Sequence, residues 1–158
     1  MNLKKFAAGA VAAGMLLTGT SAFAAAENII INGQSAQIPA DMGTIKEMDG
    51  RTFVPIRFIM ENLGCTVQFI DENKMAVIES IACSYLIQEG NQTLFVLRDQ
   101  EQKTENIPMD TAAFIEEVEL DGQSYGRMYV PIRFLAQAIG YDVGWDESTQ
   151  TVTLTMAK

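Results

Sequence analysis

Arg51-Thr-Phe-Val-Pro-Ile-Arg-Phe58 and Arg127-Met-Tyr-Val-Pro-Ile-Arg-Phe134 are one pattern written twice, 76 positions apart. The match runs on through Gly64 and Gly140, Val67 and Val143, and the aromatics Phe69 and Trp145. Such a spacing is too long for a solenoid, so it predicts a duplicated supersecondary unit. Phe53-Val54 and Tyr129-Val130 are β-prone strand ends. Pro55 and Pro131 suit a helix start, where a missing N–H costs nothing. Ile56, Ile59, Met60 and Leu63 then mark a helical stripe, repeated by Ile132, Leu135, Ala136 and Ile139. Gly64 and Gly140 stand where a left-handed cap is expected. Extended segments follow at Thr66 to Phe69 and Asp142 to Trp145, each leading through a polar turn to a second strand. The unit is strand, turn, short helix, hairpin.

The flanks are β-rich as well. Ile29-Ile30-Ile31 runs into Asn32-Gly33, a hairpin signal, and Asp49-Gly50 and Asp121-Gly122 read as further turns. Strands are expected over 81–88, 93–98 and 114–120. The polar run Gln100 to Asn106 is expected to be a loop and a hinge between halves of about 27–99 and 107–158. The predicted class is α+β: antiparallel β-sheet packed on two short helices. One composite domain over 27–158 is preferred to two lobes, because each half alone has a marginal core.

Residues 1–24 read as a secretory signal peptide. Lys4 and Lys5 precede the apolar run Phe6 to Leu17, and Ala22-Phe23-Ala24 is a small-x-small cleavage site, with Ala26 as a second position for the cut. The run is shorter than the ~20 residues that a membrane-spanning helix needs. The expected product is secreted or associated with the cell envelope, with no stable membrane insertion.

The whole chain of 158 residues carries 11 basic and 20 acidic side chains, a net charge of −9. Removing the leader with its two lysines leaves 9 basic and the same 20 acidic, a net charge of −11. That balance repels nucleic acid. There is no histidine, which excludes Ser-His-Asp and Cys-His catalysis and histidine-ligated metals. No cofactor is expected.

The paired motifs, with Asn32-Gly33 before them and Trp145-Asp146 and Thr151-Val152-Thr153-Leu154 after them, resemble the copper amine oxidase N-terminal-like domain, also called the stalk domain. The likeness covers residues 29–155. The first copy departs from the pattern, with Phe69 at the position of Trp145 and Ile70 in place of the following acid. The resemblance implies an antiparallel sheet packed around a helix, used as an accessory on some amine oxidases and in exported envelope proteins of Gram-positive bacteria. Oxidase chemistry belongs to a separate domain with three copper-binding histidines, which this chain cannot supply.

Several residues are candidates for ligand contact. Arg57 and Arg133 either meet an anion or tie each helix to neighbouring carbonyls or acids. Tyr141 and Trp145, together with Tyr125 and Tyr129, either stack on sugar rings or pack within the sheet. Alternation turns Tyr141 and Trp145 to one side. Cys65 and Cys83 are the two thiols and a candidate disulfide. Asp110-Thr111-Ala112 resembles half of an aspartic protease site, but that chemistry needs two facing aspartates. The expected function is a non-catalytic binding or structural module whose partner is wall polymer, an envelope protein or a second copy of the chain. The alternative is a carboxylate-based hydrolase or an enzyme inhibitor acting outside the cell.

Overall fold

The computed structural model describes residues 28–98 and 103–158. The leader read over 1–24 lies outside the described residues, as do residues 99–102 of the expected hinge. Strands β1 (Asn28–Ile31) and β2 (Gln34–Ala36) form a hairpin, followed by a 3₁₀ turn at Ala40–Met42. Next come β3 (Lys46–Met48), β4 (Arg51–Pro55), helix α1 (Ile56–Asn62), β5 (Thr66–Ile70), β6 (Met75–Glu79), β7 (Ser84–Gln88), β8 (Thr93–Arg98) and β9 (Lys103–Pro108). The chain ends with β10 (Phe114–Leu120), β11 (Gln123–Pro131), helix α2 (Ile132–Ala138), β12 (Tyr141–Asp146) and β13 (Thr151–Met156).

Local chemistry explains the turns and caps. Asn32-Gly33, Asp49-Gly50 and Asp121-Gly122 all hold two successive positive φ angles, the geometry of the tight hairpin turn these dipeptides favour. Gly64 ends α1 with a φ of 80°. Its N–H donates to the Glu61 carbonyl at 3.0 Å and that of Cys65 to Met60 at 3.0 Å, so two of the helix's last carbonyls are satisfied.

Three sheets result, in the orders β12-β13-β1-β2, β10-β11-β4-β3 and β5-β6-β7-β8-β9. Pairing is antiparallel except between β1 and β13, which run parallel with Ile29 opposite Val152 and Ile31 opposite Leu154. The first two sheets each combine early and late strands. The second does so through β4 and β11, where Val54 faces Val130.

Both helices turn their apolar stripes into one buried cluster. Ile56, Ile59 and Met60 meet Ile132, Leu135 and Ala136 there, together with Ile78, Ile87, Leu94, Val96 and Leu154 from the sheets. Phe58 is also buried, beyond the predicted stripe. Helix α2 packs on β11 and β12 and also touches β8 and β9.

The other face of the middle sheet carries an aromatic stack. Phe114 lies parallel to Tyr129 at 5.1 Å between centroids and edge-on to Phe53 at 5.2 Å. Lys46 sits 5.3 Å above the Tyr129 ring.

Two expectations are corrected. The polar run expected as a loop to Asn106 is a strand from Lys103, paired with β8 from Arg98↔Lys103 to Thr93↔Pro108. It is an edge strand, exposed along most of its length, so it needs no apolar alternation. The strand expected from Ile81 begins at Ser84 instead, because the Ser80 N–H and hydroxyl both bond the Cys83 carbonyl, at 3.0 and 2.8 Å, and close a turn.

Candidate binding cleft

A cleft of ≈ 750 Å³ runs from the β3–β4 turn across the start of α2 to the outer strand β12. Glu47, Asp49, Arg51, Thr52 and Asp110 supply its polar wall, and Arg133 joins them from α2. Ile132, Phe134, Val143, Trp145 and Val152 supply its apolar wall. Its size falls within the ~300–1,000 Å³ typical of small-ligand sites.

The polar wall is ordered by its own contacts. Arg51 Nε donates to Asp110 Oδ2 at 2.8 Å, and its Nη1 donates to the Asp49 carbonyl at 3.2 Å. The Thr52 hydroxyl donates to Glu47 Oε1 at 2.5 Å. The apolar wall follows from strand alternation. Tyr141, Val143 and Trp145 share a face of β12, opposite Met156, Leu154 and Val152 of β13. Tyr141 is half-buried and accepts a hydrogen bond from Asn32 Nδ2 at 3.2 Å. Trp145 stays 46% exposed above buried Val152.

The structure thus brings Arg133 and Trp145 into one cleft and leaves Arg57 and Tyr141 outside its lining. The reading that Arg57 and Arg133 tie their helices to neighbours is corrected. Both side chains are exposed, and neither has a hydrogen bond or ion pair among the described residues. The first arginine of each motif does the tying instead. Arg51 makes the contacts above. Arg127 Nε donates to the Asp41 carbonyl at 2.6 Å, and its Nη1 donates to Gly126 O at 3.0 Å. Those residues stood in the repeated pattern, but their partners lie 59 and 86 positions away, with no local signal to find them.

Cys65 and Cys83 are free thiols in this structure, so the candidate disulfide is not formed. Cys65 directly precedes β5 and Cys83 directly precedes β7, and β6 lies between those two strands. Two strand spacings amount to ~9.5 Å, beyond the ~7 Å that a disulfide spans between Cα atoms. The Cys83 thiol instead donates to Tyr85 Oη at 3.0 Å. Burial, then this bond, pushes the Tyr85 hydroxyl well above its usual range.

Four of the acidic side chains singled out in the sequence have partners nearby. Asp110 is ion-paired with Arg51. Glu116 binds Lys46 at 2.7 Å, while neighbouring Glu117 accepts from the Ser124 hydroxyl. Asp146 caps its own turn. Bonds from the Ser148 hydroxyl, then from the Thr149 and Ser148 N–H groups, hold its carboxyl below the usual range. Among the described residues no three Cys, Asp or Glu side chains gather as a metal site.

Residues 30–154 match the family model of the copper amine oxidase N-terminal domain. The chain belongs to that family. No curated protein and no solved structure matches it. In the oxidase family this domain is a non-catalytic accessory. The family model takes in every residue that lines the cleft, from Glu47 to Val152. The copper amine oxidase N-terminal domain here therefore carries the cleft within its own fold.

Proposed function

We propose that this copper amine oxidase N-terminal domain protein is an exported, non-catalytic binding module of the bacterial cell envelope, engaging wall polymer or an envelope protein. The observation that carries the reading is the cleft that sets half-exposed Trp145 beside unpartnered Arg133. Such a surface suits recognition better than catalysis, since two of its three carboxylates are already engaged by Arg51 and Thr52. Export rests on Lys4, Lys5, the apolar run after them and Ala22-Phe23-Ala24. The matching strand–helix–hairpin stretches after Arg51 and Arg127 support a duplicated unit as the origin of the fold, and residues 27–158 act as one composite domain.

The test is co-sedimentation of the exported chain with isolated cell walls at two salt concentrations, with and without secondary polymers stripped. Saturable co-sedimentation is the expected result. Retention of the chain in the cytosol, or no binding to walls or envelope proteins under any condition, overturns the reading.

A further inference from the structure

Trp145 is the sole tryptophan of the chain. It shares a face of β12 with half-buried Tyr141 and Val143, yet is 46% exposed and lines the cleft. A buried role would have closed over it, and a surface role needs no cleft. Arg133 lines the same cleft with its five donors unengaged among the described residues. Asp110 and Glu47 present carboxylates fixed in place by Arg51 and Thr52.

From these groups we infer that the cleft binds a saccharide, with one sugar ring stacked on Trp145 and its hydroxyls taken by Arg133 and the carboxylates of Asp49 and Asp110. The inference deepens the envelope-binding reading and rests on it for the setting in which the sugar is met. The chemistry favours an uncharged sugar over an anion. Three carboxylates against two guanidinium groups leave the cleft lining net negative, and the chain as a whole carries −9. A phosphate-rich polymer or an acidic peptide is repelled by both. A pyranose ring matches all parts of the lining at once. Its C–H face suits the electron-rich indole face, and its hydroxyls donate to carboxylates and accept from guanidinium.

The test uses Trp145 as its own reporter. The chain is titrated with the N-acetylglucosamine tetrasaccharide and with cellotetraose while tryptophan emission is followed. At least one probe gives a saturable emission change. By calorimetry, Trp145→Ala weakens that probe by about tenfold or more, as expected for losing a ring stack on a desolvated aromatic. Arg133→Ala weakens it several-fold. Tyr125→Ala removes an exposed aromatic outside the cleft and leaves affinity unchanged.

No saturable change with either probe up to about 10 mM, a limit corresponding to negligible affinity, overturns the inference. So does full affinity in Trp145→Ala, or an emission change produced by an extended peptide and not by sugars. Wall co-sedimentation that is identical for wild type and Trp145→Ala sinks the saccharide cleft and leaves envelope binding standing. Sugar binding by a chain that ignores walls and envelope proteins does the reverse.

Discussion

Gly43 lies so close to the Tyr129 hydroxyl that a β-carbon placed on it would overlap the tyrosine oxygen. Gly43 also holds φ at +94°, which side chains other than hydrogen rarely adopt. The loop carrying it closes over the stacked rings of Phe114 and Tyr129, and the Thr44 N–H donates to the same tyrosine oxygen at 3.2 Å. Gly43→Ala should therefore destabilise the fold by about 2–4 kcal/mol, from backbone strain and overpacking together. Tyr129→Phe should cost about 1 kcal/mol, the worth of the lost hydrogen bond. The double variant should lose clearly less than the sum, because removing the oxygen removes the nearest clash. Urea unfolding of the four proteins checks the cycle, and strict additivity would refute the contact.

The arginines of the repeated motif divide by role. Arg127 reaches a backbone carbonyl 86 positions away and lies 5.3 Å from the Tyr125 ring. Arg127→Ala should lower stability by about 1–2 kcal/mol, as expected for a lost charged hydrogen bond. Arg57→Ala and Arg133→Ala should stay within about 0.5 kcal/mol of wild type, like other exposed changes. Arg51→Ala should fall between them at low salt and approach wild type at high salt, since its ion pair with Asp110 is half-exposed and screened. Thermal melts of the four variants at two salt concentrations provide the comparison.

What could be read from the sequence was what a few neighbouring residues determine. Asn32-Gly33, Asp49-Gly50 and Asp121-Gly122 declared their turns, and Gly64 and Gly140 declared their helix ends, because each demands a positive φ. The apolar spacing after Pro55 and Pro131 declared both helices. Long-range pairings left no such mark. Nothing local states that Ile29 will lie beside Val152 in parallel, or that Arg51 will meet Asp110. The strand from Lys103 was hidden for a different reason: an edge strand exposed on both faces has no need of alternation. In the cleft, Trp145 and Arg133 stood out by residue type, whereas Glu47, Asp49 and Asp110 joined them only through the crossing of early and late strands.

Acid should act on the last hairpin through Asp146. Its carboxyl is held below the ordinary value of 3.8 by the Ser148 hydroxyl and the Thr149 and Ser148 N–H groups. A carboxylate with a lowered folded pKa stabilises the fold above its unfolded pKa, and that contribution disappears as pH falls through the folded value. Asp146→Asn removes the charge. Its destabilising effect should be visible at pH 7 and should shrink below pH 4. Urea midpoints of wild type and variant across that range decide it, and a difference that grows on acidification would contradict the assignment.

The thiols should behave as two slow, reduced groups. Burial, then the neighbouring Cys83, pushes the Cys65 thiol above its ordinary value of 9.0. Cys83 is buried and bonded to Tyr85. The thiolate is the reactive form, so a disulfide-exchange reagent at pH 8 should modify Cys65 more slowly than a free thiol and Cys83 only on unfolding. Denatured protein kept without reductant should release two thiol equivalents. A count of zero would mean that the strand ends move together and bond. Because a raised thiol pKa favours the protonated form in the fold, stability should decline as pH rises past 9.

The crossing of early and late strands gives the strongest expectation about the chain as a whole. Residues 107–158 contain β13, whose inner edge is completed by β1, and β11, whose free edge is completed by β4. Residues 27–99 contain those two completing strands. Separating the halves would leave Ile29, Val54, Val130 and Leu154, all at most 1% exposed in the whole chain, facing water. Residues 107–158 would present unpaired edges on β11 and β13, and residues 27–99 on β1, β4 and β8, since β9 begins only at Lys103. Helix α2 would lose its seat on β8 and β9 as well. Expressed alone, each half should lack a cooperative unfolding transition, and co-expression should restore one complex with the melting behaviour of the intact protein. Circular dichroism melts of the two fragments and their complex make the comparison. A sharp transition in either fragment alone would show that the halves are independent lobes and that the shared sheets form only after each has folded.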